Sequence, residues 1–378
     1  MHKLQFLQMK KILFPLFSLI LLAGCTADDE YQLSDFVGND TLTISYNGTS
    51  ATMGTLPYFV SASTNGAHVT VNTYTSKHLI IQLSGTTTNG SLLFYGSKGF
   101  SIDLNNVHIT NPNGPAINNQ CGKALYVTMT DGTTNSLCDG TSYADAPISA
   151  SGDTIQQKGA FFSEGQIYFR GKGELSVSGN ARNGIASDDY ITFESGTVNV
   201  SVASTGSNGV KANDGVFILG GTLNIDVAAN GARGIKNDAR MEIRGGTTTI
   251  STSGDCKIET VDGVTDTTSC AGIKCDSLFT MTAGTLIITS TGDGGKGINA
   301  SEAFLFKGGT LQARATGSEN NGKPKAVKSE VGITLSGGSF YAESRKSKAT
   351  DNAGDETPTI IGTPKTQILT KKKVSVEY

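Results

Sequence analysis

Between Arg182 and Ala349 one short pattern returns about every 25 residues, and a fixed period of that size restricts a chain to stacked repeats. Its clearest copy opens Gly209-Val210-Lys211-Ala212-Asn213-Asp214 and continues to Gly220-Gly221-Thr222-Leu223-Asn224-Ile225. The opening glycine recurs as Gly184, Gly209, Gly234, Gly272 and Gly297, with Ala326 in the last copy. Three intervals are 25 residues, one is 38 and the last is 29, so two copies carry insertions.

The apolar spacing within the repeat names the solenoid. Seven residues after each opening come pairs spaced by two: Ile191/Phe193, Val216/Ile218, Met241/Ile243, Phe279/Met281, Phe304/Phe306 and Ile333/Leu335. Fourteen residues after it come second pairs such as Val198/Val200, Leu223/Ile225, Leu286/Ile288 and Phe340/Ala342. Spacing of two is strand spacing, with alternate side chains on one interior. Between the pairs stands a glycine in every copy (Gly196, Gly221, Gly246, Gly284, Gly309, Gly338), where a corner demands dihedrals that other residues resist. A third inward position follows the opening residue: Ile185, Val210, Ile235, Ile273, Ile298 and Val327. Three short strands and their corners make one coil. The sequence therefore predicts an all-β chain, a right-handed parallel β-helix with coils of about 25 residues; a helical repeat would show apolar spacings of three and four.

Residues 1–24 read as a lipoprotein signal peptide. Lys10 and Lys11 precede the apolar run Ile12 to Ala23, too short to span a bilayer and suited to a secretory core, and it ends in Leu22-Ala23-Gly24-Cys25. That ending resembles the bacterial lipobox, whose cysteine is lipidated. Residues 25–40 read as a polar tether, and its Asp28-Asp29-Glu30 resembles the signal that carries Bacteroidetes lipoproteins to the outer face of the outer membrane. The expectation is a lipid-anchored protein of the outer membrane facing the medium, with residues 41–378 forming a single β-helix domain, capped at both ends. Thr41 to Gln157 supplies the N-terminal cap and first coils; Thr359-Ile360-Ile361 and Val374-Ser375-Val376 close the far end, where an uncovered coil would leave an open edge.

Forty-seven glycines against eight prolines suit a chain of many corners without a collagen period. A formal net charge of −3, with no Lys/Arg-rich run interleaved with aromatics, excludes nucleic acid as partner. His2, His68, His78 and His108 are scattered and no CxxC spacing occurs, so no transition-metal set is present. Cys256 and Cys270 bracket the insertion in the 38-residue interval, where a disulfide would pin it; Cys121 with Cys138 is a second possible pair, and Cys275 reads as a small core-facing side chain.

Gly114-Pro115-Ala116-Ile117, the run Gly132 to Gly140, Lys158-Gly159-Ala160-Phe161-Phe162-Ser163-Glu164-Gly165, Gly171-Lys172-Gly173-Glu174-Leu175 and Asn183-Gly184-Ile185-Ala186-Ser187-Asp188-Asp189 follow one another in an order that resembles the polygalacturonan-binding, pectate-lyase-like β-helix family of bacterial surface proteins. The resemblance covers roughly Gly99 to Lys346. It implies a pectate-lyase-like fold, binding of acidic plant polysaccharide and calcium, and a carbohydrate-binding role without catalysis. The chain departs from that family's commonest repeat, Asp-Gly-Ile-Lys, at Asn208 and Arg233, where the first aspartate is usual.

A parallel β-helix stacks equivalent residues about 4.8 Å apart, so its chemistry lies in columns. Four or five residues after each opening lies an acid: Asp188 and Asp189, Asp214, Asp238, Asp276, Glu302 and Glu330, with Glu164 one coil earlier. Such a row repels itself unless cations intervene, and calcium, which takes several oxygens at once, is the expected ion, with Asp188, Asp189, Asp214, Asp238, Asp276 and Glu302 as ligands. Two residues after each opening lie Lys211, Lys236, Lys274 and Lys328, interrupted by Ala186 and Asn299. These lysines are the expected contacts to an acidic glycan; the competing reading joins the two rows into a solvated ladder of ion pairs. Tryptophan is absent, and Tyr168, Tyr190 and Tyr341 alone sit in the repeats as stacking surfaces, which favours a charged polymer over a neutral glucan. Two other functions compete with a binding protein. One is a calcium-dependent polysaccharide lyase with Lys211, Lys236 or Lys274 as base, and the other a structural adhesin or stalk.

Overall fold

In the computed structural model each copy of the repeat is one coil of a parallel β-solenoid. The structure describes residues 40–378 apart from 75, 76, 150, 151, 262, 269 and 356, so residues 1–39, which include the expected signal peptide, Cys25 and all but the last residue of the expected tether, lie outside the described residues. No helix occurs among the described residues, and the coils form one 12-stranded and one 23-stranded sheet plus a separate hairpin. The coil after Gly209 shows the plan. Val210–Ala212 belongs to the smaller sheet, Gly215–Ile218 and Thr222–Val227 to the larger, and the three strands make three faces. Register is strict: Val198, Leu223 and Thr248 are opposite one another, as are Ile185, Val210, Ile235 and Ile273.

The corners explain the glycines. Gly221 has φ 71°, and a Cβ there would lie 2.7 Å from the Gly196 carbonyl oxygen of the preceding coil. The opening glycines answer to packing instead: a Cβ on Gly184 would meet Val200 at 2.5 Å, and one on Gly209 would meet Ile225 at 2.6 Å. Where the residue across the interior shrinks to Ala313, a Cβ on Gly297 would find it at 3.3 Å but would still meet the Ala326 carbonyl oxygen at 2.3 Å, and in the next coil the two positions are Ala326 and Ala342, both fully buried. Volume is conserved across the coil, as close packing demands. The core is one continuous cluster from Leu42 to Val376, with the Phe279 and Phe304 rings stacked at 4.6 Å.

Both ends are closed by antiparallel pairs. At the start Thr41–Asn47 pairs with Ser50–Met53, and Val60–Asn65 with Ala67–Thr73; at the finish Lys373–Glu377 pairs with both Ser339–Ser344 and Thr366–Thr370. The insertion of the long interval is a hairpin, Lys257–Val261 against Val264–Thr268. At its base the buried Cys256 and Cys270 thiols face one another, Sγ to Sγ 2.8 Å, and are not joined. Cys275 is buried in the core, as its position in the repeat implies. Cys121 and Cys138 have separate neighbours: the first sulfur bonds the Lys98 carbonyl and the second accepts from Asn180.

Candidate functional site

The smaller sheet carries the charged rows, and its register defines them. Ala186, Lys211, Lys236, Lys274, Asn299, Lys328 and Asp351 are successive partners in one outward column. The single acidic row read from the sequence resolves into two. Asp188, Asn213, Asp238, Asp276, Ser301 and Glu330 each stand two residues beyond a member of the lysine column. Asp189, Asp214 and Glu302 stand one residue further on, toward the corner.

The first acidic column meets the lysines. Lys211 Nζ donates to Asp238 Oδ2 at 2.8 Å and to Asn213 Oδ1 at 2.6 Å, and Lys236 Nζ lies 3.2 Å from Asp238 Oδ1. Lys274 Nζ sits 2.5 Å from Asp276 Oδ1 and donates to Ser301 Oγ at 2.6 Å; Lys328 pairs with Glu330. Asp188 takes Lys158 Nζ at 2.5 Å, a cation from the coil before the regular row. One gap is matched: where the lysine column drops to Asn299, the acid two residues on drops to Ser301. Partial burial pushes the Asp238 carboxyl up, but Lys211 and Lys236 outweigh it and hold the group below its ordinary value. Of the other acids, Asp189 Oδ1 accepts from the Tyr190 N–H at 2.8 Å and Glu302 accepts from Ser277 Oγ at 2.9 Å. Burial and the neighbouring Asp188 push the Glu164 carboxyl up.

This arrangement does not fit a calcium cage made by the protein alone. Calcium takes six to eight oxygens, whereas an ammonium occupies the contact distance of Asp188, Asp238, Asp276 and Glu330. Among the described residues no three His, Cys, Asp or Glu side chains are grouped to hold a metal.

The strand geometry adds a second cationic column that the sequence reading missed. One residue before each opening position stand Arg233, Ala271, Lys296 and Lys325, in register with one another. The same repeat arithmetic that found the lysine row would have found them. Lys325 pairs with Asp351, yet burial and the nearby Lys328, Lys296 and Lys348 bring its ammonium down to about 8. At the other end, where Ala186 breaks the lysine column, a groove of about 420 Å³ opens between Lys158, Arg182, Asn183, Asp188, Lys211 and Asn213.

Beyond Ala186 the same face is covered. Phe162, the partner of Ala186 in the outward column, is fully buried though it points away from the core. Lys158 Nζ sits 5.5 Å over its ring, and the segment through Pro147, Ile155 and Gln157 lies across the adjoining Leu93 and Asn118, which donates to the Gln156 carbonyl. Arg314 and Lys373 lie 5.2 and 5.3 Å from the Tyr341 ring centre.

No curated protein matches the chain. The polysaccharide lyase-like protein from C. thermocellum, solved as a gadolinium derivative, matches with a TM-score of 0.56 over 70% of this chain and 96% of that one, at 20% identity. Likeness at that identity bears on the fold. The profile of the family described as carbohydrate-binding domain-containing protein matches residues 65–256 and 225–322, more than half of the sequence. The chain belongs to that carbohydrate-binding family.

Proposed function

We propose that the open half of the lysine face binds an acidic polysaccharide, with polygalacturonate as the type ligand, and does not cleave it. The observation that carries this reading is the register of the cationic column Lys211-Lys236-Lys274, repeating at the coil spacing of about 4.8 Å, beside a second column in which Ala271 separates Arg233 from Lys296 and Lys325. A polymer with a carboxylate on each sugar presents the complementary repeat. Exposed ion pairs contribute about 0–1 kcal/mol each, so exchanging Asp238 or Asp276 for a uronate costs little at any one lysine. Many such exchanges along one chain add through effective concentration. Membership of a carbohydrate-binding family supports the ligand class.

Calcium enters this reading only in company with the glycan, whose carboxylates would supply the oxygens that the ladder lacks. Calorimetry decides it: calcium heat that appears with polygalacturonate and is absent without it agrees with the proposal. We further propose that Cys25 is lipidated and holds the protein on the outer face of the outer membrane. Membrane fractionation of the wild type beside Cys25→Ser checks this, and an unmodified, soluble wild type contradicts it.

A second reading, a polysaccharide lyase, is favoured by one observation. Lys325, in register with Lys296 and paired with Asp351, has its ammonium brought down to about 8 by burial and three other lysines, and is thereby suited to take a proton beside a uronate carboxylate. Ultraviolet absorbance of unsaturated uronate products separates the two readings. Binding without such absorbance supports the non-catalytic role; product formation that Lys325→Met abolishes supports the lyase.

A further inference from the structure

The short-strand face next to the lysine face holds a run of side chains that neither the core nor the charged ladder explains. Leu125/Val127, Ile167/Phe169, Ile191/Phe193 and Val216/Ile218 point inward and are buried. The alternate, outward positions of these four consecutive coils hold Tyr126, Tyr168, Thr192 and Phe217. Thr192 is buried, and Tyr190, two residues before it on the same strand face, takes its place between the rings of Tyr168 and Phe217. Tyr126, Tyr168, Tyr190 and Phe217 are all partly exposed. Further along the same column the residues are Glu242, Thr280, Leu305 and Thr334, so the aromatic run is local.

The rings touch in sequence. Tyr126 and Tyr168 stack at 4.9 Å with planes 16° apart; Tyr190 stands crosswise to Tyr168 at 5.7 Å and 89°, and to Phe217 at 5.7 Å and 86°. The Tyr168 and Tyr190 hydroxyls are hydrogen-bonded to each other. Guanidinium groups stand at the ends, Arg170 4.9 Å over Tyr126 and Arg240 5.0 Å over Phe217. Partly exposed aromatic bodies with polar tips are enriched where one side of a contact is apolar and the other wet. A pyranose chain has that character, with apolar ring faces and hydroxyl edges.

We infer that the strip Tyr126-Tyr168-Tyr190-Phe217, bounded by Arg170 and Arg240, is a second polysaccharide contact on which a glycan chain lies along the solenoid axis. Three features favour a glycan over a protein partner. The strip is one ring wide and four coils long, its ends are guanidinium groups that bond hydroxyls or uronate carboxylates, and the chain belongs to a carbohydrate-binding family. Tyr190 directly follows Asp188 and Asp189 at the corner, so the strip adjoins the groove beside Asp188 on the lysine face. The inference rests on the carbohydrate-binding reading but not on the acidity of the ligand, because aromatic contact is indifferent to salt and the lysine ladder is not.

The test is retention on immobilised polygalacturonate and on xylan, each at low and at high salt, beside a thermal melt. The double variant Tyr168→Ala with Tyr190→Ala is expected to lose retention about tenfold at both salts, the equivalent of two ring contacts. Lys211→Ala with Lys236→Ala is expected to lose it at low salt only. If the tyrosine variant fails to fold, Phe217→Ala with Arg240→Ala at the strip's open end takes its place under the same expectation. Wild-type retention by a natively melting strip variant overturns the inference and leaves the strip to a protein partner or to packing. Loss in the strip variant with none in the lysine variant supports the strip while overturning the lysine-face reading. A wild type retained on neither glycan overturns both.

Discussion

The two halves of the smaller sheet share a backbone and differ in what covers it. In the open half the outward column reads Lys211, Lys236, Lys274 and Lys328, and each side chain ends on a partner in water. In the covered half the same column reads Leu93, Asn118 and Phe162, with Pro147, Ile155 and Gln157 beside the first two and Lys158 over the Phe162 ring. An outward position on a solenoid is therefore not a surface position by right. Each half became what its cover made it: apolar and packed where a segment lies across it, charged and exchangeable where nothing described does.

That comparison breaks most sharply at Phe162. Phe162→Ala is expected to lower stability by about 3 kcal/mol, as for a core phenylalanine, while Lys236→Ala in the same column shifts it by less than about 1 kcal/mol. Paired urea melts check this, and equal effects would erase the distinction between the halves. A smaller effect of opposite sign is expected beneath the open half. Asn237 is wholly buried between Ala212 and Cys275 in its inward column, and neither its Oδ1 nor its Nδ2 has a hydrogen-bond partner. An unsatisfied buried amide costs about 1–3 kcal/mol, so Asn237→Ala is expected to raise the melting temperature.

The smallest effect is a pH dependence from the crowded end of the open half. The Lys325 ammonium falls from an ordinary 10.5 to about 8, burial being the main cause and the neighbouring lysines the next. Between those values the unfolded chain binds the proton that the folded one has released, so stability rises with pH across that window. Below the window both states are protonated and the burden on the folded state is constant. Melts of the wild type and of Lys325→Met at pH values through that range are expected to converge as pH rises. Parallel curves would mean that Lys325 titrates normally.

Much of this fold was legible because a solenoid writes its structure in register. The inward pairs, the corner glycines and the core-facing Cys275 follow from the period alone, and a misplacement of one residue would have turned Val210 or Ile235 outward. The burial of Phe162 was not legible, since Pro147, Ile155, Gln157 and Lys158 lie outside the regular repeat and their packing is a tertiary fact. Within the site, merging acids four and five residues after each opening hid a real division. Asp188, Asp238, Asp276 and Glu330 belong to the lysine ladder, whereas Asp189, Asp214 and Glu302 stand one residue further on, toward the corner. Tyr126 and Phe217 escaped notice because their coils were read for charge, although alternation with Leu125/Val127 and Val216/Ile218 marks both as outward.

The central claim is that the open half of the lysine face holds an acidic glycan through exchangeable ion pairs. Its most direct measurement is the retention of Lys211→Ala with Lys236→Ala on immobilised polygalacturonate as salt is raised, beside the wild type. The account predicts a weaker hold at low salt, a shallower salt dependence than the wild type and an unchanged melt; retention and salt dependence equal to the wild type's would contradict it.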